Sequence, residues 1–163
     1  MVEFELREAG RADAFAISIL VETSFEGSRE DRLIKDLRAE DALGLELVAI
    51  ERGHVIGHAA FPRLSRPEGW YALAPLTVRA DRRRMGVGSA LVRVGIDRLR
   101  QAEAPALLVL GDPDYYERFG FSLGAAAKLR SAYPKNNLMM LAFAPGLSGA
   151  AFDVDYPSVF LRN

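Results

Sequence analysis

The stretch that most constrains the fold is residues 76–91, in which an apolar segment runs through a cluster of arginines into a Gly-x-Gly pair. From Gly88 onward the apolar residues recur at helical spacing. A strand, a tight turn and a helix N-terminus in this order predict an anion site, because the first turn of a helix carries about four unpaired N–H groups and the positive end of the helix dipole. Glycines in the turn let the main chain approach a ligand closely. We therefore expect phosphate or pyrophosphate to bind here.

Composition narrows the chemistry of this site. The chain has 163 residues, of which 50% are hydrophobic, and a net charge of −1. These values predict a single domain over residues 1–163 and no nucleic-acid or anionic-membrane partner. With no cysteine and two histidines, a disulfide, a thiol nucleophile and a cysteine zinc site are excluded, and we expect no metal. No apolar run approaches the roughly 20 residues of a membrane span, and the acidic N-terminus is unlike a signal peptide, so we expect a cytoplasmic protein.

Hydrophobic periodicity predicts an α/β fold with a central mixed sheet and helices on both faces. An early hairpin indicates antiparallel pairing, whereas the strands that flank the long helix indicate a parallel strand–helix–strand unit. The tail at 152–160 is either a last strand or a packed extension. The predicted strands are 2–7, 45–50, 54–61, 70–78, 106–110 and 138–143, and the predicted helices are 11–25, a short one around 33–37, a long one from 88 onward and 114–119.

Pro75 lies inside the predicted strand at 70–78. Proline has no N–H to donate to a neighbouring strand, so a strand interrupted there is expected to bulge or to splay from its neighbour. We expect the splay to separate this strand from the one at 106–110 and to leave one strand edge free.

Two well-known phosphate-binding motifs do not match this stretch, each because of one residue. A P-loop requires lysine after its last glycine, and Ser89 stands there; the dinucleotide fingerprint requires a third glycine, and Leu91 occupies that position. The remaining pattern, Arg-Arg-Met-Gly-Val-Gly over residues 83–88, resembles the acyl-CoA loop of the GNAT superfamily, the Gcn5-related N-acetyltransferases. Residues 115–121, Tyr-Tyr-Glu-Arg-Phe-Gly-Phe, resemble that family's Tyr-x-x-x-Gly-Phe segment. The resemblance is specific over residues 70–122 and extends to a bacterial subgroup of predicted acetyltransferases with undefined acceptors.

The resemblance implies a GNAT-like fold with a splayed strand pair, and an N-acetyltransferase that uses acetyl-CoA as co-substrate. An amine of a small molecule or protein would attack the thioester directly. The main chain of residues 76–78 would bind the pantetheine arm, and the N–H groups of residues 84–89 would bind the pyrophosphate. Apart from the resemblance, the partly aromatic tail from Phe152 indicates either closure of the acceptor site or a homodimer contact. The cofactor-binding residues that the resemblance implies are Leu76, Thr77, Val78, Arg83, Arg84, Met85, Gly86, Val87, Gly88, Ser89, Asp112, Tyr115, Tyr116 and Phe119.

Tyr116 stands four residues before Gly120, where the family places the tyrosine that protonates or hydrogen-bonds the leaving CoA thiolate. A donor is needed there because negative charge develops on the sulfur. The adjacent Tyr115 is the alternative candidate for this role. Asp112, at a position where the family often has asparagine, either contacts the pantetheine or caps the short helix.

The sequence departs from the family at Ala72, which stands where many members have a glutamate as general base. The missing base motivates a second hypothesis, a non-catalytic acyl-CoA-binding sensor. A weaker third hypothesis is RNA binding through the arginines at 82–84. The other candidates for the base are water, Glu22, Glu26, His54, His58 and Glu68.

Overall fold

The computed structural model describes residues 3–133 and 135–163. The strands are β1 (Glu5–Glu8), β2 (Leu43–Glu51), β3 (His54–Pro62), β4 (Tyr71–Leu73), β5 (Leu76–Val78), β6 (Ala106–Leu110) and β7 (Leu138–Ala142). The helices are α1 (Ala14–Ser24), α2 (Arg29–Ala39), α3 (Val87–Gln101), α4 (Pro113–Tyr116) and α5 (Leu123–Ala126). None of the helices described is long and apolar enough to cross a membrane.

The strands form two hydrogen-bonded groups that together make the predicted mixed arrangement. One group has the order β1-β2-β3-β5 with antiparallel pairs throughout, and the other has the order β4-β6-β7. In the second group β4 runs parallel to β6, and β7 runs antiparallel to it. The β2–β3 hairpin turns at Arg52 and Gly53, which both have positive φ (49° and 80°) as a type I′ turn requires.

The predicted strand at 70–78 is two strands, divided at Pro75. β4 pairs with β6 through Tyr71↔Leu107, whereas β5 pairs with β3. The junction stays attached to β3 because the Ala60 N–H donates to the Pro75 carbonyl at 3.1 Å. The predicted splay is therefore confirmed, and within the described residues no strand pairs with the second edge of β5.

Helices cover both faces of the strands, as predicted. On one face α3 packs on β2 and β3 through a cluster that includes Leu47, Phe61 and Leu91. On the other face α1 and α2 bury a cluster that includes Ile17 and Ile34. A third cluster lies over β4, β6 and β7, where α5 and the tail close the core. The edge of β5 is therefore supported by packed clusters on both faces of its sheet.

Some predicted boundaries were wrong. The strand at 138–143 ends at Ala142, because the Phe143 N–H leaves the ladder and donates to the Pro105 carbonyl at 2.8 Å. Of the two alternatives for the tail, the structure has the packed extension, with isolated bridges at Asp153 and Asp155. The first strand begins at Glu5, and Val2 lies outside the described residues. Helix α5 was not predicted, since its four small or apolar residues carry no periodic pattern.

Candidate active site

A cleft of about 690 Å³ lies along β5 and the first turn of α3. The end of α1 and the region of α4 form its other walls. The cleft therefore joins the free strand edge to the helix N-terminus in one space. It is lined by Ser24, Phe25, Leu76, Thr77, Val78, Arg82, Arg83, Arg84, Gly86, Gly88, Ser89, Tyr115 and Arg118.

Two glycines shape the loop that enters α3. Gly86 is the residue before the first helical turn and has φ 86°, a left-handed conformation that favours glycine. A Cβ atom at Gly88 would lie 3.1 Å from the Tyr115 hydroxyl and 3.5 Å from a Val78 methyl. The Ala90 N–H donates to the Gly86 carbonyl at 3.0 Å, so the N–H groups that precede Ala90 are free of helical partners. The loop thus presents main-chain donors toward an open cleft.

Arginines surround the cleft, but they are not equivalent. Arg82 is held by Glu51, with an Nη2–Oε1 distance of 2.8 Å, and this contact lowers the pKa of the Glu51 carboxyl. The Arg83 Nε donates to the Val78 carbonyl at 3.3 Å. The Arg118 Nε donates to the Tyr115 carbonyl at 2.8 Å, and its guanidinium stacks 4.7 Å from that ring. The positive charge of this rim suits a phosphate ligand.

The two adjacent tyrosines occupy different places. Tyr115 lines the cleft, and its hydroxyl lies beside Gly88 at the loop. The Tyr116 ring packs over Gly111, directly after β6, and meets the Tyr115 ring edge-on at a centroid distance of 4.9 Å. Burial raises the pKa of Tyr116 to about 12. Tyr116 therefore keeps its proton at neutral pH, and its ring lies beside the end of β6 rather than among the residues that line the cleft.

Several residues implied for the cofactor have side chains away from the cleft. Val87 and Phe119 are buried in the core under α3, and Met85 is half exposed. The Asp112 carboxylate accepts a hydrogen bond from the Asp114 N–H at 3.0 Å and caps α4. Main-chain contacts of the loop residues with a ligand stay predictions, as does a pantetheine contact from Asp112.

The candidates for a general base are also dispersed. Ala72 is 1% exposed within the apolar cluster over β6. His54 is exposed on the hairpin. Only His58 among the candidates is fully buried, and its Nε2 lies 2.7 Å from the Glu46 Oε2. The carboxylates at 22, 26 and 68 are exposed and lie outside the lining of the cleft.

Glu46 gives this region a measurable acid sensitivity. His58 and Arg38 hydrogen-bond the carboxylate and, although burial opposes them, hold the pKa of Glu46 at about 2, below its ordinary 4.5. As the pH falls, the Glu46 carboxylate is protonated in the unfolded chain before it is protonated in the folded protein. The contacts of Glu46 therefore contribute fully to the free energy of unfolding above pH 4.5, and this contribution is lost as the pH falls toward 2. We expect it to amount to roughly 3 kcal/mol of unfolding free energy. Urea unfolding between pH 5 and 2.5 should show a shallower pH dependence for Glu46→Gln than for the wild type; parallel curves would contradict this assignment.

The structure adds cleft residues that the motifs did not indicate. Ser24 and Phe25 at the end of α1 reach the cleft through tertiary packing, for which the sequence carries no local signal. Arg118 lies three residues after Tyr115 and thus on the same face of a helical turn. This spacing from Tyr115 was the sequence feature from which a place for Arg118 in the cleft could have been predicted.

Comparisons with known proteins agree with this geometry. The GNAT acetyltransferase family model matches residues 14–121. The chain is 40% identical over 126 residues to the N-acetyltransferase YhbS of Escherichia coli K12, covering 75% of each protein. It is 32% identical over 132 residues to YjhQ of the same strain, covering 77% of this chain and 73% of YjhQ.

Solved structures show the same architecture. Escherichia coli YhbS in complex with CoA aligns with a TM-score of 0.92 at 35% identity, covering 99% of this chain and 94% of YhbS. A GNAT acetyltransferase from Brucella melitensis in complex with acetyl-CoA aligns with a TM-score of 0.82 at 33% identity, covering 98% and 99%. With the loop, the splayed strands and these relatives in agreement, the chain belongs to the GNAT family of acetyltransferases.

Proposed function

We propose that this protein moves the acetyl group of acetyl-CoA to an amine by direct attack, with CoA lying in the cleft along β5 and α3. The observation that carries the proposal is the free edge of β5 leading directly to the exposed N–H groups of the α3 N-terminus. A cytoplasmic location, a single domain and a homodimer stay predictions.

The proposed donor contacts follow the direction of the cleft. The pantetheine arm, which carries amide groups, pairs with the main chain of β5 as an added strand. The pyrophosphate lies on the N–H groups of residues 84–89, where the helix dipole favours negative charge. Arg83, Arg84 and Arg118 supply side-chain charge nearby. Arg82 contributes less, because Glu51 already neutralises it.

The reaction needs a donor for the sulfur that leaves. As the amine nitrogen bonds to the thioester carbon, the tetrahedral intermediate forms near the main-chain N–H of Leu76 and then expels the CoA thiolate. We assign Tyr116 to the thiolate. A phenol whose pKa is about 12 donates a hydrogen bond to a thiolate without fully giving up its proton, because thiols have pKa values of about 8.5. The thiolate therefore departs stabilised by Tyr116.

One experiment distinguishes an acetyltransferase from the non-catalytic acyl-CoA-binding sensor that Ala72 motivates. Purified protein is incubated with acetyl-CoA and a panel of primary amines and amino-terminal peptides, and free thiol and acetylated amine are both measured. We expect thiol release that depends on the amine and matches the acetylated product. Saturable CoA binding without amine-dependent release across the panel would favour the sensor.

A further inference from the structure

The Tyr116 ring lies against the main chain of Gly111, the first residue after β6. A Cβ atom on Gly111 would stand 2.5 Å from the Tyr116 Cε2 and 2.9 Å from its Cδ2, whereas ordinary contacts of a Cβ atom begin at 3.4 Å. Gly111 does not have positive φ, so the main-chain conformation does not require glycine here. The ring does require it, because the ring occupies the space that a side chain would need.

Gly111 lies just beyond the point where β4 and β6 part. The last pair in the β4–β6 ladder is Leu73↔Val109, two residues before Gly111. Beyond that pair β4 gives way to Pro75 and to β5, which pairs with β3 instead. The Gly111 N–H donates to the Asn137 carbonyl, directly before β7, at 3.2 Å. The main chain beneath the Tyr116 ring is therefore anchored to the start of β7 where the splay opens.

Aromatic neighbours hold other sides of the Tyr116 ring. Tyr115 meets it edge-on with ring centroids 4.9 Å apart and an interplanar angle of 89°. Phe121 also meets it edge-on, at a centroid distance of 5.9 Å. Edge-to-face pairs of this kind have a preferred geometry, so the ring has little freedom to tilt. The place of the phenol is therefore set by packing, with Gly111 as the contact that a single methyl group would remove.

We propose that Gly111 is a positioning residue for acetyl transfer, because its missing side chain lets the Tyr116 phenol lie at the end of β6. This inference rests on the proposed function, in which the Tyr116 hydroxyl donates a hydrogen bond to the thiolate that leaves. Alanine at position 111 would force the ring and the main chain apart by about 1 Å, from 2.5 Å to an ordinary contact of 3.4 Å. A displacement of that size can lower a rate by about 100-fold.

The first test compares Gly111→Ala with Gly124→Ala, which is the matched control. Gly124 is an exposed residue of α5, and a Cβ atom there would lie 3.5 Å from the Ser122 hydroxyl oxygen, an ordinary contact. With the panel amine that gives the fastest thiol release, we expect Gly111→Ala to lower kcat at least about tenfold and Gly124→Ala to leave kcat unchanged. Calorimetric Kd values for CoA should stay within about twofold in both variants. Wild-type turnover in Gly111→Ala, or a loss of CoA affinity as large as the loss of turnover, would overturn the proposal.

A double variant tests whether Gly111 acts through Tyr116. We expect Gly111→Ala/Tyr116→Phe to have the kcat of Tyr116→Phe within about twofold, because the position of the ring no longer matters once its hydroxyl is gone. A merely structural effect of Gly111→Ala would instead lower kcat by the same factor with and without the Tyr116 hydroxyl. That additive result would overturn the proposal.

The last test needs neither an amine nor CoA, so it separates failure of this inference from failure of the proposed function. An aromatic ring shifts the NMR resonances of protons that lie against it, and we expect the shift of the Gly111 Hα resonances to disappear in Tyr116→Leu. In urea unfolding, Gly111→Ala should lower the midpoint in the wild type but much less in Tyr116→Leu, where the methyl group has space. The double variant Gly111→Ala/Tyr116→Leu should therefore fold even if Gly111→Ala does not. Equal losses of midpoint in both backgrounds, or unshifted Gly111 Hα resonances in the wild type, would overturn the proposal.

Discussion

Gly88→Glu is expected to abolish CoA binding, raising Kd at least about 100-fold, or roughly 2.7 kcal/mol. The glutamate Cβ would start 3.1 Å from the Tyr115 hydroxyl and 3.5 Å from Val78, so the rest of the side chain extends into the cleft. Its carboxylate would stand where we place the pyrophosphate and would repel it. Gly88 does not have positive φ, so the substitution acts on the ligand rather than on the backbone. Titration calorimetry with CoA measures the effect.

Gln101→Glu is the matched control for this variant. It makes the same change of charge on the same helix, at the exposed last residue of α3. We expect the CoA affinity of the control to equal that of the wild type, with similar melting temperatures for all three proteins. Retained affinity in Gly88→Glu would place the cofactor elsewhere.

Tyr116→Phe is expected to lower kcat by about 100-fold, within the range for loss of a positioned proton donor. Its effect on CoA affinity should be small, because the Tyr116 ring packs against Gly111 and aromatic neighbours that phenylalanine also satisfies. Steady-state thiol release and CoA calorimetry together separate the two effects. Unchanged turnover would remove Tyr116 from the reaction.

Tyr115→Phe is the companion variant, since Tyr115 is the alternative candidate for this role. Its hydroxyl lies beside Gly88 at the proposed phosphate end of the cleft. We therefore expect weaker CoA binding with kcat largely retained, the reverse of the Tyr116→Phe pattern. A large fall of kcat in Tyr115→Phe alone would transfer the donor role to Tyr115.

The parts of the site that lie close together in sequence could be predicted from it. The strand, the Gly86 and Gly88 turn and the start of α3 follow one another within residues 76–91, and each has a local signature. The splay could likewise be predicted from Pro75, because the loss of one backbone hydrogen-bond donor is a local property of the sequence. These elements position the donor half of the reaction.

The remaining parts depend on tertiary packing. Phe25 reaches the cleft because α1 packs against β5, and Glu46, the side-chain partner of His58, comes from the neighbouring strand β2. The periodicity of a helix or strand does not predict such contacts between elements that are distant in sequence. In the sequence His58 was one candidate base among several, and only its complete burial beside Glu46, opposite Thr77, distinguishes it from His54.

We place CoA along the main chain of β5 and on the first turn of α3. Amide hydrogen exchange with and without saturating CoA measures those N–H groups directly. We expect slower exchange on CoA binding at residues 76–78 and 84–89, with Gly88→Glu showing no change. Protection by CoA at other segments, with exchange in these two unaltered, would contradict this placement of CoA.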